Sequence, residues 1–183
     1  MSKAVMISIR PKWCEKIASG KKTIEVGKTR PKLETPFKCY IYCTRNKHLA
    51  FMQNQTGTNL IACMDAEAAI PVGGFVGNGK VIGEFTCDLV YELETKAPGG
   101  SYYVKGEEQQ TTNAVARQSC LSLRDMHEYL RSKTGYGWHI SDLRIYDAPK
   151  ELSEFTGLRE TKFGAEPATI RRPPQSWFYV EEM

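Results

Sequence analysis

The chain has 183 residues, 41% of them hydrophobic and 25% charged, enough ordinary globular material to bury a core without disulfide staples. Its 25 basic and 21 acidic residues leave a net charge of +4, which excludes the heavily basic footprint of a dedicated duplex-DNA binder. No apolar run approaches the ~18 residues of a membrane span, and the length predicts one domain over residues 1–183.

Charge is unevenly placed. Between Lys3 and Lys47, 12 lysines and arginines meet only Glu15, Glu25 and Glu34, so an anionic ligand is expected to meet this third first. The six cysteines (Cys14, Cys39, Cys43, Cys63, Cys87 and Cys120) are read as free thiols in a reducing cytosol, because the chain has core enough without bridges. Met1 to Arg10 is basic and then strand-like, not a signal peptide.

In chain order, Ala4 to Ile9 predicts a buried strand. Pro11 suits the first position of a helix, Trp13 and Ile17 share a helical face, and Gly20 suits the helix end. Thr23 to Lys28 and Phe37 to Thr44 resume strand patterns. Residues 46–78, rich in Asn, Gly and Thr, read as a long, partly irregular insertion. Lys80 to Glu94 predicts a strand bent near Gly83. Residues 95–118, with the tract GEEQQTTN, read as a second excursion. Ser122 to Lys133 predicts a helix, with capping spacing at Ser122 and Asp125, an apolar face of Leu123, Met126, His127 and Leu130, and a stop at Gly135. A strand over Trp138 to Tyr146, a short helix over Pro149 to Phe155 and a closing strand over Pro174 to Glu181 complete an α+β order.

Three clusters carry chemistry. The first is Ser8, Arg10 and Trp13 with the segment Gly20 to Glu25. A helix returns the chain, so the end of the first strand can meet the start of the second. There Arg10 and Lys22 can bind phosphate, Trp13 can stack on a base, and Glu25 can accept from a base edge or act as acid or base. Trp13 beside Ile17 reads equally as core, and Lys21 as a solvated turn. The second cluster is Tyr136-Gly137-Trp138-His139 and the third runs from Arg171 to Trp177. Trp138 and Trp177 are stacking platforms at a rim or core residues inside it, with core favoured for each. Gln175 has the paired donor and acceptor of a base reader, with Ser176 beside it. His139 can serve as a base, although a lone histidine is more often structural, and His127 on an apolar face is read as structural. Cys39 and Cys43 lack metal-ligand spacing, so no metal is expected. No cofactor fingerprint is present.

The run ISIRPKWCEKIASGKKTIEV resembles the opening of an ASCH domain, whose signature is a strand, a helix and then Gly-x-Lys-Thr-x-Glu-x-Arg. Gly20, Lys22, Thr23 and Glu25 match. The segments GKVIGEFTCD, YGWHISDLRIYD and PPQSWFYV look like the remaining strands of phage and bacterial members. The resemblance spans most of the chain outside the two excursions. It implies a PUA-like mixed β-barrel (pseudo-barrel) with flanking helices, a cleft beside the first helix, and RNA or nucleotide binding. One branch resembles an amidohydrolase of N4-acetylcytidine. Lys22 matches its lysine, but Glu25 stands where that branch has its nucleophilic threonine, so the mechanism does not transfer intact. Other members are regarded as ribonucleases, in which Lys22 and Glu25 could serve. The motif's final Arg is replaced by Gly27, which removes a cation from the strand face of Glu25.

The expectation is a protein that binds RNA, a nucleotide or a modified nucleoside through Ser8, Arg10, Trp13, Thr23, Trp138, His139, Gln175 and Ser176. The alternative is a hydrolase using Lys22 and Glu25. Binding is favoured because, on an ideal strand, residues 22 and 25 face opposite sides. A protein partner meeting the two excursions, in a phage or host-defence setting, is a third possibility.

Overall fold

The structure is a computed structural model and describes residues 2–63, 73–106 and 110–183. Parts of both predicted excursions, 64–72 and 107–109, lie outside the described residues.

Strand β1 (Lys3–Ile9) sits inside a seven-stranded sheet. It pairs in parallel with β3 (Phe37–Cys43) and antiparallel with β14 (Trp177–Glu181). Both of its faces are covered. Val5, Ile7 and Ile9 join Cys39, Ile41 and Phe85 in one core, while Ala4 and Met6 join Tyr40, Tyr42, Val81 and Val180 in another. Two-sided burial is why this strand reads as an unbroken apolar run. The sheet continues through β7 (Val81–Cys87) to β11 (Ser141–Lys150) on one side, and through β12 (Thr156–Thr161) to β13 (Gly164–Thr169) on the other.

Helix α1 (Pro11–Ala18) follows β1 directly, with Pro11 in its first turn. It closes on Gly20 at φ +72°, a left-handed turn that favours glycine. The chain then enters a four-stranded sheet ordered β2 (Ile24–Gly27), β10 (Gly135–His139), β8 (Val90–Thr95) and β9 (Tyr102–Val104). Ile24, Val26 and Leu93 pack beneath α2 (Thr112–Gln118) and α3 (Leu123–Leu130), against Val115, Met126 and Leu130. By the period of two, Glu25 and Gly27 take the opposite face. That alternation aims the candidate carboxylate toward β1 and α1.

Several expectations are corrected. The class is α+β, but the seven-stranded sheet is open, ending at β11 and β13, and no described sheet closes into a barrel. Within residues 46–78, expected to be partly irregular, the described stretches hold a small sheet the sequence did not reveal: β4 (Leu49–Gln53) pairs with β5 (Asn59–Cys63) and β6 (Phe75–Val76). The Asn78 amide ties this sheet down, accepting from Phe51 N at 2.9 Å and donating to Leu49 O at 2.8 Å. The second excursion holds β9 and α2. The long strands break at Asp88–Leu89 and at Ile140, where the chain passes between sheets. The Pro149–Phe155 helix shrinks to a 3-10 turn at Leu152–Glu154. Helix α3 stops at Leu130, with Arg131 left-handed at φ 52°, well before Gly135. Leu123, expected on its buried face, is 49% exposed.

Gly83 on β7 shows how closely the large sheet is packed. A Cβ there would lie 2.4 Å from the Arg144 carbonyl oxygen of β11, and a backbone atom cannot swing away. Gly83→Ala is therefore expected to lower unfolding stability by about 1–3 kcal/mol, measured as a lower urea midpoint at unchanged slope.

Candidate functional site

A cavity of about 390 Å³ opens where β1 ends, α1 begins, β2 passes beneath and the 175–177 segment leads into β14. Of the residues singled out in the sequence, Ser8, Arg10, Trp13, Lys22, Glu25, Trp138, Gln175 and Ser176 line it. The convergence follows from the pairing. Ser8 N donates to Ser176 O at 2.8 Å and Ser8 Oγ donates to Pro174 O at 2.6 Å, so the β1 end and the segment before β14 are laced together. Trp138 lies directly across from Glu25 in the β10–β2 register.

Lys22 is the anchor. It precedes β2 and is only 3% exposed. Its Nζ donates to Ile24 O at 2.9 Å and to Ser119 O at 2.8 Å, and lies 3.2 Å from Glu25 Oε2. The contact with Glu25 is an ion pair off the hydrogen-bond direction, since Oε2 is buried without a hydrogen-bond partner. Lys22 thus reaches Glu25 from the turn, not from the strand, which removes the opposite-face objection. Its Nζ also stands 5.2 Å from the Trp13 ring centroid, a cation–π distance.

Trp13 is partly buried against the core around β1, and Lys12 and Lys16 also place ammonium groups 4.9 and 5.8 Å from its ring. Cations therefore flank the indole expected to serve as a stacking surface. Trp138 is 1% exposed; it forms the cavity floor and belongs to the core at the same time. Its Nε1 is buried without a hydrogen-bond partner. Trp177 packs 6.2 Å from Trp138 and 5.4 Å from Tyr179 between ring centroids, and its Nε1 donates to Thr29 Oγ1 at 2.9 Å.

Thr23 and His139 do not line the cavity. Thr23 N donates to Gln118 O at 2.8 Å, holding the chain to the end of α2. His139 alternates away from Trp138 along β10 and meets Asp88, Nδ1 to Oδ1 at 2.7 Å. Burial pushes the Asp88 carboxyl up, but the contacts with His139, backbone and Ser141 together leave Asp88 below its ordinary value.

Tyr129 and Leu121 also line the cavity and were not foreseen, and Gly27, expected on the strand face of Glu25, lines it as well. Tyr129 falls off the expected apolar face of α3 and is 42% exposed. Its phenol is held above its usual value, first by desolvation and then by the Glu25 charge, with Arg10 opposing, so it stays a hydrogen-bond donor at neutral pH. Lys28 Nζ lies 4.7 Å from its ring. Beneath the site, burial, then Cys43 and the Glu25 charge, push the Cys14 thiol well above its usual range, which keeps it protonated. Arg10, Lys12, Lys28 and Arg171 have no carboxylate partner among the described residues, whereas Lys3, Lys38, Lys80, Lys105, Arg124 and Arg159 each do. Of the unpaired cations, Arg10 lines the cavity itself and Lys28 lies against its Tyr129 wall.

No protein-family model matches the chain, and no curated protein matches it significantly. Among solved structures, the crystal structure of ASCH from Zymomonas mobilis is similar at 17% identity, with a TM-score of 0.56 over 98% of this chain and 88% of that one. A tyrosine-to-phenylalanine mutant of the same Zymomonas mobilis protein is similar at 16% identity and a TM-score of 0.51, over 99% of this chain and 92% of that one. The likeness at this identity is one of fold: the chain has the fold of that ASCH protein. No described helix is long and apolar enough to cross a membrane.

Removing Lys22 strands two buried carbonyls and a carboxylate. Lys22→Met and Glu25→Gln each leave one charge of a buried pair uncompensated and are expected to cost about 3–5 kcal/mol, with Glu25→Gln at the lower end because it keeps both carbonyl contacts of Lys22. Denaturant unfolding of the two variants checks the ordering.

Proposed function

We propose that this chain, which has the ASCH fold, binds RNA, a nucleotide or a modified nucleoside in the cavity between α1, β2 and the segment before β14. The observation that carries the reading is the composition of one enclosure: indoles of Trp138 and Trp177, the Arg10 guanidinium without a carboxylate partner, and a carboxylate held in place by a buried lysine. Aromatic walls suit the faces of a base. An unpaired guanidinium suits a phosphate. A carboxylate inside the enclosure suits an N–H edge.

The 3.2 Å contact of Lys22 with Glu25 favours a second reading, a ribonuclease or an N4-acetylcytidine amidohydrolase. Binding is preferred on a physical ground. Lys22 donates hydrogen bonds to two backbone carbonyls from separate elements and lies 3.2 Å from Glu25 Oε2. A lysine so engaged cannot turn to a substrate without loosening the fold around it.

A thermal-shift panel of nucleosides, nucleoside 5′-monophosphates and short RNAs tests the proposal, because a ligand that binds the folded state raises its melting temperature by mass action. Arg10→Ala is expected to weaken phosphate-bearing ligands about tenfold, the cost of one charge-assisted contact, and to leave nucleosides unchanged. A flat response across the panel overturns the binding reading. Turnover of N4-acetylcytidine or RNA that vanishes in Glu25→Gln would replace it with the hydrolase.

A further inference from the structure

We infer that the cavity reads the base-pairing edge of an unpaired nucleotide with main chain, through the N–H and C=O of Val26; the inference rests on the nucleotide-binding reading above. Strand β2 is outermost in its sheet, with β10 on one side and no described strand on the other. The cavity touches Glu25 and Gly27, which take one face of β2. It also touches Leu121 and Tyr129, which belong to the α2–α3 layer over the other face. A cavity that meets both sides of a strand runs along its edge.

The register fixes what that edge presents. Along an antiparallel pair, residues that bond the partner with both N–H and C=O alternate with residues that turn both groups away. Ile140 N donates to Thr23 O at 2.9 Å, one step beyond the paired residues of β10 and β2. His139 N donates to Leu89 O at 2.9 Å, on the β8 side of β10 and away from β2. Ile24 O accepts from Lys22 Nζ at 2.9 Å, off the free edge. Thr23, Glu25 and Gly27 therefore bond toward β10, while Ile24 and Val26 turn outward. At Ile24 the carbonyl is taken by Lys22. At Val26 neither group meets a hydrogen-bond partner among the described residues. The Val26 side chain packs in the core beneath α2 and α3, yet Val26 lines the cavity and keeps 4% exposure where Ile24 keeps none. What it turns to the cavity is the outward N–H and C=O.

Backbone groups set apart from bulk water are nearly always paired. A donor and an acceptor left side by side in an enclosure therefore ask for a ligand with the reciprocal pair. Every standard base carries one on its pairing edge: N6–H beside N1 in adenine, N4–H beside N3 in cytosine, N1–H beside O6 in guanine and N3–H beside O4 in uracil. A base turned over presents the two groups in the other order, so the main chain can meet any of them. It can meet none while that edge is bound to a second strand. The first requirement of the site is thus an unpaired base, ahead of any preference among bases.

The test is calorimetric titration of the full chain with two sets of ligands, UMP with its 5-methyl and N3-methyl forms and AMP with its N6,N6-dimethyl form, and with a short RNA as a single strand or as a duplex. The 5-methyl group of uracil lies away from the pairing edge, whereas the N3-methyl and N6,N6-dimethyl groups remove its donor. 5-Methyl-UMP is expected to bind within about threefold of UMP, and each edge-methylated nucleotide at least about tenfold weaker than its parent. The single strand should bind at least about tenfold tighter than the duplex. Val26→Pro deletes the N–H at an edge position outside the ladder, where proline is tolerated, and should weaken UMP and AMP about tenfold. Its unfolding midpoint shows whether the variant is folded; if it is not, the ligand series decides alone. Equal affinity for a nucleotide and its edge-methylated form, equal affinity for single strand and duplex, or undiminished binding by folded Val26→Pro overturns the inference and leaves nucleotide binding standing. Failure of every nucleotide and of RNA to bind overturns both.

Discussion

The Lys22 ammonium is the contact on which the remainder of the site depends. It joins three parts of the chain that are otherwise held by separate sets of bonds: the turn after α1, the start of β2 through Ile24 O, and the residue closing α2 through Ser119 O. An unpaired charge at that depth would be prohibitive. Here two carbonyls and a carboxylate surround it, and the Trp13 ring covers a further side. The Glu25 carboxylate is consequently fixed in position. Its effect reaches the neighbouring Tyr129 phenol and Cys14 thiol, both of which it helps to keep protonated. The same contact sets a practical constraint. Because Lys22 supports backbone, its removal is a test of folding before it is a test of function, and Glu25 is the more informative position to change.

Much of this arrangement was legible in the residues. Pro11 and Gly20 bracket α1 for backbone reasons that hold in any context. The alternation through Ile24, Glu25, Val26 and Gly27 told which side chains share a face. Eight of the ten singled-out residues meet in one cavity, because the β1 end and the 174–176 segment are laced by Ser8. What escaped notice has a physical explanation. Lys22 reads as a cation available to a phosphate, since nothing local reveals the Ser119 carbonyl 97 positions away. Tyr129 reads as surface because its partners lie on other elements. The strands of 46–78 are masked by the Asn, Gly and Thr of their turns, and the β12–β13 hairpin by its short, polar, Pro-containing edge strand. His139 was misplaced by one step of alternation, which on a strand means the opposite face.

The excess of cations over carboxylates in the first 47 residues also acquires a meaning from the coordinates. Some lysines and arginines elsewhere find acidic partners across strands or along a helix. Lys12 and Lys28, beside the cavity, lie against aromatic rings instead, and Arg10 lines the opening with no carboxylate partner among the described residues while Glu25 stands within. Such an arrangement would draw a phosphate to the rim and leave an N–H edge to meet the carboxylate within.

The pairing of β1 with β14 has a consequence for the order in which the protein becomes competent. The pocket wall contains residues 7–10 and 175–177, far apart in sequence. During synthesis β1 emerges early and waits, one edge uncovered, until β14 arrives to sit beside it. The cavity cannot close before that strand has been made. A ribosome stalled short of residue 177 would carry a helix and a lysine but no wall to complete the enclosure.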